Sequence, residues 1–270
     1  MNKDIERDFN LGGTVEQALS GQYQLKVGSV LKEAWDTTLK HFVSFSPAVV
    51  LMVAIQIVIF IIALKLQIGD PSVILSALAE GGEFQESWIS AIFIANFSYE
   101  VVSAPVYAGI CLMAMSHAAG LKTKTSHISK GLQFTIPVIL ATMIGLILQG
   151  VAGMIFPILS MYLSVAFSNS VLLICEKRVP PLQSLLLSLR AANKKLLPLA
   201  AIYFTVMLMF VIAALLYGVG LIFVVPFFFH VKGIIYRNMF GVRLKIVTTD
   251  ENNRNDDDND NNKNPQVFDA

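Results

Sequence analysis

The stretch Pro47-Ala-Val-Val-Leu-Met-Val-Ala-Ile-Gln56-Ile-Val-Ile-Phe-Ile-Ile-Ala-Leu-Lys65-Leu66 carries only two strongly polar side chains, Gln56 and Lys65. An α-helix crosses about 30 Å of hydrocarbon with roughly 20 mostly apolar residues, so this run is a membrane span. Five further runs have the same character: 97–116, 134–151, 155–175, 196–217 and 219–236. They are too long and continuous for barrel strands, and backbone in lipid must satisfy its own hydrogen bonds. The expectation is an all-α, polytopic helical bundle with six transmembrane helices.

Nineteen of the twenty Lys and Arg residues fall on one side of that series. Lys26, Lys32 and Lys40 precede the first run, Lys122, Lys124 and Lys130 follow the second, and Lys177, Arg178, Arg190, Lys194 and Lys195 follow the fourth. Arg237, Arg243 and Lys245 follow the sixth. The opposite connections at 149–154 and 216–220 are uncharged, and that at 66–86 carries Asp70, Glu80, Glu83 and Glu86. Lys65 is the exception and reaches the headgroups from its helix end. Cations in short loops mark the cytoplasmic face, which puts both termini in the cytoplasm.

With 55% hydrophobic and 14% charged residues, the chain is far from the roughly 25% charged of a soluble domain. Cys111 and Cys175 lie in or at the end of apolar runs and read as small buried hydrophobes. No cleavable leader is expected, since the first apolar run begins only at Pro47 after a polar stretch. The chain lacks a His-Glu-x-x-His, Cys-x-x-Cys, Gly-x-Ser-x-Gly or Walker pattern, so no enzyme activity, metal or cofactor is expected. His117 and His127 are too isolated to argue for a metal site. Topology explains the basic loops, which leaves nucleic-acid binding without support.

Outside the spans, residues 27–43 put Val27, Leu31, Ala34, Trp35, Leu39 and Phe42 on one helical face, with Lys26, Lys32 and Lys40 largely on the other. That pattern suits an amphipathic helix lying in the headgroup region of anionic lipid, with Trp35 at interfacial depth. A second interfacial helix is expected at 181–195, where a leucine stripe adjoins Arg190, Lys194 and Lys195. A weaker third occupies 126–133. Each leads into an odd-numbered span, so the chain reads as three degenerate units of cytoplasmic helix, outward span and inward span. Residues 1–24 and the acidic tail 247–270 are expected to be disordered, flanking a membrane domain at 25–246.

Polar groups at membrane depth are the candidates for function. Glu100 lies in the outer interface if the second span starts near Phe97, the preferred reading, and deep if it starts near Trp88. His230 is close to mid-span, either as a neutral ring bonded to backbone or to Asn169, or as a proton-linked group. Lys232 has the stem to reach the interface. Ser160, Ser164 and Ser168 recur every four residues, beside Asn169, and favour close helix packing over a permeation lining. Pro105, Pro157 and Pro226, one in each even-numbered span, are expected kink sites.

The run Leu173-Ile-Cys-Glu-Lys-Arg-Val-Pro180-Pro-Leu-Gln-Ser184-Leu-Leu-Leu-Ser188-Leu-Arg190 is followed by Pro198 and by Gly218-Val-Gly-Leu-Ile-Phe-Val-Val-Pro226. With these features the region from about 27 to 242 resembles the YciC-like six-span proteins of bacterial inner membranes. Related modules are attached to some glycerophosphodiester phosphodiesterases. The resemblance implies a six-helix module in a bacterial cytoplasmic membrane and brings no catalytic residue with it.

The expected function is contact with membrane lipid, anionic in kind, or with a membrane-protein partner or second copy. The alternative is a small-solute or ion transporter built on proline-kinked helices.

Overall fold

Six helices of the computed structural model are long and apolar enough to cross a membrane, and they form an all-α bundle. The structure describes residues 6–79 and 85–247. In chain order, strand β1 (Glu6–Leu11) and helix α1 (Val15–Ser20) precede α2 (Val27–Ile68), and α3 (Ser72–Ala79) lies in the connection to α4 (Glu86–Ala118). A 3-10 segment, Thr125–Phe134, leads into α5 (Thr135–Ile155). Helices α6 (Pro157–Ala166) and α7 (Ser170–Lys177) together make the fourth span. Then come α8 (Pro181–Lys194), α9 (Leu196–Leu215), α10 (Leu221–Phe240) and strand β2 (Val242–Val247).

Helix α4 is the centre. From Ala108 to Ala118 every residue is buried, and α2, α5, α7, α10 and the 3-10 segment pack around it. Glycine makes two of those approaches close. A side chain on Gly109 would run into the Ile128 carbonyl of the 3-10 segment, and one on Gly233 of α10 would sit 2.7 Å from the Ala114 carbonyl oxygen. Small residues let backbones meet where no hydrophobic drive separates helix from lipid.

The region 27–43 is not a separate interfacial helix. Its helix continues through Pro47 into the first span as one 42-residue element, α2. The reason is packing, since Val30, Ala34, Thr38, His41 and Phe45 form a buried stripe that turns this segment toward α4 and α10. Trp35 and Leu39 remain exposed, and the Trp35 ring meets Phe227 edge-on. Of the other two segments, 181–194 is helical, as α8, while the weak third is the 3-10 segment. The three leading segments of the proposed repeat therefore take three different forms.

Residues 6–24 are also folded where disorder was expected of 1–24, and residues 1–5 lie outside the described residues. Thr14 caps α1 by accepting from the Gln17 N–H, and Gly21 closes it in the left-handed region. The Tyr23 hydroxyl, pushed up to about 12 by burial, donates to the Ala191 carbonyl of α8. β1 pairs antiparallel with β2, Phe9 opposite Leu244 and Leu11 opposite Val242. The first and last described segments, β1 and β2, thus meet at one end of the bundle. The acidic tail from Thr248 onward lies outside the described residues.

Arg237 of α10 joins three helices at that same end. Its guanidinium donates to both carboxylate oxygens of Glu33 in α2, at 2.6 and 2.9 Å, and to the Ala118 carbonyl at the end of α4. A planar fork matches a carboxylate in this two-point geometry. Glu176 makes a second junction, accepting from the Tyr236 hydroxyl and the Arg243 backbone N–H beside Lys177.

Candidate functional site: a polar cavity beside a broken span

Helix α4, which contains the second span, begins at Glu86, eleven residues before Phe97, so Glu100 is well inside a helix. Glu100, Ser103 and Tyr107 are spaced three and four apart and share one face of α4. That face borders a cavity of about 490 Å³, which is completed by Gln56 of α2, Thr142 and Gln149 of α5, Ser164 and Ser168 of the fourth span, Tyr203 of α9 and Lys232 of α10. Leu185 of α8 and Gly145 of α5 also line it. The volume falls within the roughly 300–1,000 Å³ of small-molecule sites.

Lys232 does not extend to the interface. Its ammonium is buried in the bundle, donating to the Tyr107 hydroxyl and lying 5.0 and 5.6 Å from the centres of the Tyr107 and Phe228 rings. Ring faces offset part of the cost of burying a cation. No carboxylate pairs with it among the described residues, where the only ion pairs are Lys177 with Glu176 and Arg237 with Glu33. Across the cavity, Glu100 accepts from the Asn96 side chain, and Gln56 donates to Ser103. The Ser168 and Tyr203 hydroxyls are buried beside each other, and neither has a hydrogen-bond partner outside that pair among the described residues.

The wall at Ser168 is irregular backbone. The fourth span breaks at residues 167–169, where Ser168 N–H reaches only back to Val165 and Ser170 N–H to Phe167. Ser188 of α8 repairs the gap by donating to the Ala166 carbonyl and accepting from the Asn169 N–H. Non-helical backbone at membrane depth is tolerated where protein buries it or where it lines a cavity, and this break does both. Pro157 plays no part in it. It sits at the first position of α6, where its missing N–H has no helical acceptor to lose, so it starts a helix instead of kinking one. Pro105 and Pro226 lie inside continuous α4 and α10.

The serine series divides. Ser160 packs against Gly153 across the α5–α6 turn, whereas Ser164 and Ser168 line the cavity. Asn169 is fully buried outside it, its amide directed at Met239 Sδ and its Oδ1 unpartnered. The interfacial residues stay at the surface. Arg190 and Lys194 are exposed, Lys195 lies over the Tyr23 ring, and Lys40 borders a shallow groove with Lys32 and Asp36.

His230 meets neither Asn169 nor Glu100. It belongs to a second polar assembly at the basic end of the bundle, where Thr38, His230, His117 and Thr123 form a continuous hydrogen-bonded chain with contacts of 2.9, 3.0 and 2.8 Å. Its direction follows from proton counting. Thr38 donates its one hydroxyl proton to the Ala34 carbonyl, so His230 must donate from Nδ1 to Thr38. His230 Nε2 then accepts from His117 Nδ1, and His117 Nε2 accepts from Thr123. Both rings are neutral and satisfied in this arrangement. His41 stacks on His117 at 4.0 Å, and the Phe45 ring lies against both His117 and His230.

Sequence reading missed this chain and the inward turn of Lys232. His41 and His117 did carry one usable signal, since both lie near the basic end of a span. Among the described residues no group of three or more His, Cys, Asp or Glu is arranged to hold a metal ion. Compared with known proteins, the chain matches no family model, no curated protein and no solved structure.

Proposed function

We propose that this multi-pass membrane protein is a non-enzymatic carrier of the bacterial cytoplasmic membrane, with cytoplasmic termini, that takes a small polar solute into the cavity between its spans. One observation carries the reading: a helix break at residues 167–169 opens onto a chamber holding a buried, carboxylate-free Lys232. Carriers build midplane sites from such broken helices. The YciC-like resemblance belongs to the same proposal. The test is counterflow of a panel of labelled anionic, cationic, zwitterionic and neutral solutes in proteoliposomes. Uptake by the wild type that Lys232→Met abolishes is the expected result. Folded, correctly inserted protein that moves no member of the panel would sink the carrier reading.

A second reading, contact with anionic lipid, is supported by α8. Its Leu182 and Leu186 are exposed beside Arg190 and Lys194, while its other face is buried. An apolar strip bordered by cations is the composition of an interfacial helix. The combined variant Arg190→Glu, Lys194→Glu should weaken retention of phosphatidylglycerol by the purified protein. Unchanged retention would remove lipid binding at α8, leaving a protein partner or second copy as its remaining use.

A further inference from the structure

We infer that the solute of this cavity is a small zwitterion, held by its anionic group at Lys232 and by its ammonium at Glu100; this rests on the cavity being a solute site. Both charged side chains line the same chamber, yet they form no ion pair with each other. Glu100 and Tyr107, whose hydroxyl receives the Lys232 ammonium, are seven residues apart on α4, which is roughly 10 Å along a helix axis. The two charges therefore stand toward different ends of the chamber.

Each end is incomplete in a way that a ligand charge would complete. The ammonium has three protons and one oxygen partner, Tyr107, and the other two find no acceptor among the described residues. A carboxylate, phosphate or phosphonate supplies such acceptors. The Ser168 and Tyr203 hydroxyls, buried beside each other on the walls, can use only one of their two protons between them and keep the other as a donor for its oxygens. Glu100 has one neutral donor, Asn96, and three unused acceptor positions that an ammonium fills. An anion alone would meet Lys232 but share the chamber with a carboxylate, and a cation alone would share it with an ammonium. Only a molecule bearing both satisfies both ends.

That chemistry has two sources, a free amino acid or aminoalkyl phosphate, and the headgroup of an ethanolamine lipid. Calorimetric titration of the full chain in micelles with 4-aminobutyrate, butyrate, butylamine and butyramide compares both charges, one charge and none on a single skeleton. The aminobutyrate should bind about tenfold more tightly than either singly charged probe, the expected yield of one charged hydrogen-bonded contact. Lys232→Met should reduce it to the level of butylamine, and Glu100→Gln to that of butyrate. Thermal unfolding in nanodiscs of phosphatidylethanolamine or phosphatidylglycerol forms the second arm. Stabilisation by the ethanolamine lipid alone, lost in both variants and without binding of aminobutyrate, would keep the zwitterion and assign it to the lipid. Butyrate binding as tightly as aminobutyrate, with Glu100→Gln neutral, overturns the inference in favour of an anion site. Butyramide binding equally well overturns it and leaves the carrier reading standing. If no probe binds and neither lipid stabilises, the zwitterion falls, and the counterflow panel alone then decides whether the cavity is a solute site.

Discussion

The odd-numbered and even-numbered spans of this protein face different solvents. Over the most apolar eighteen residues, 22% are buried in each odd-numbered span, against 78%, 44% and 61% in the second, fourth and sixth. Mean hydropathy runs the other way, at 2.9, 2.2 and 2.4 for the odd-numbered spans and 1.5, 1.9 and 1.3 for the even-numbered. The odd-numbered spans end in exposed residues such as Leu66, Ile155 and Leu215. The even-numbered ones contribute Ser103, Gly109, Asn169, His230, Lys232 and Gly233, all of them buried. A side chain facing lipid has nothing to hydrogen-bond with, whereas one facing protein does. Polarity within a span is thus a marker of the inner helices, which supply most of the polar cavity lining and both rings of the Thr38–His230–His117–Thr123 chain.

That contrast can be broken at several points. Gly233→Leu drives a side chain into the α4 backbone and should cost about 3 kcal/mol or more, read as a large fall in thermal midpoint in detergent. A wild-type midpoint would mean that the inner helices do not approach so closely. Arg237→Met removes the fork that joins α2, α4 and α10, leaving the Ala118 carbonyl and Glu33 without it, and should cost about 2–3 kcal/mol in the same assay. Glu33→Gln should cost less, because the Glu33 side chain is 41% exposed.

Ser188→Ala strips the partners from Ala166 and Asn169 at the helix break, at a cost of about 1–2 kcal/mol. Faster hydrogen exchange at the Asn169 amide should accompany it, and unchanged exchange would mean that Ser188 does not hold the break. The smallest effect belongs to the lipid-facing side. Val58→Leu, on an exposed position of α2, should stay within about 0.5 kcal/mol of the wild type. A loss comparable to that of Gly233→Leu would erase the distinction between the two sets of spans.

The six spans and α8 were legible because each depends on residues close in sequence. Glu100 was legible as a dilemma about where its helix starts, and α4 begins at Glu86 and brings the carboxylate to the cavity. The break at residues 167–169 was not legible. Phe167, Ser168 and Asn169 include no glycine or proline, and the group that repairs the gap, Ser188, lies on another helix. The histidine chain was less accessible still, since its links join residues 192 and 113 positions apart. The N-terminal residues looked too polar to order, and their main partners, β2, α8 and the end of α10, lie more than 160 residues away.

Partition between water and hydrocarbon adds up residue by residue along a local window. A reader of this chain alone can therefore name it a six-span membrane protein and see its cations gathered at one end of the bundle. Which way a polar side chain points within a span depends instead on which helix comes to lie beside it. The inward turn of Lys232, the repaired break at Ser168 and the pairing of His117 with His230 were decided only when α4 took the centre and the other helices closed around it.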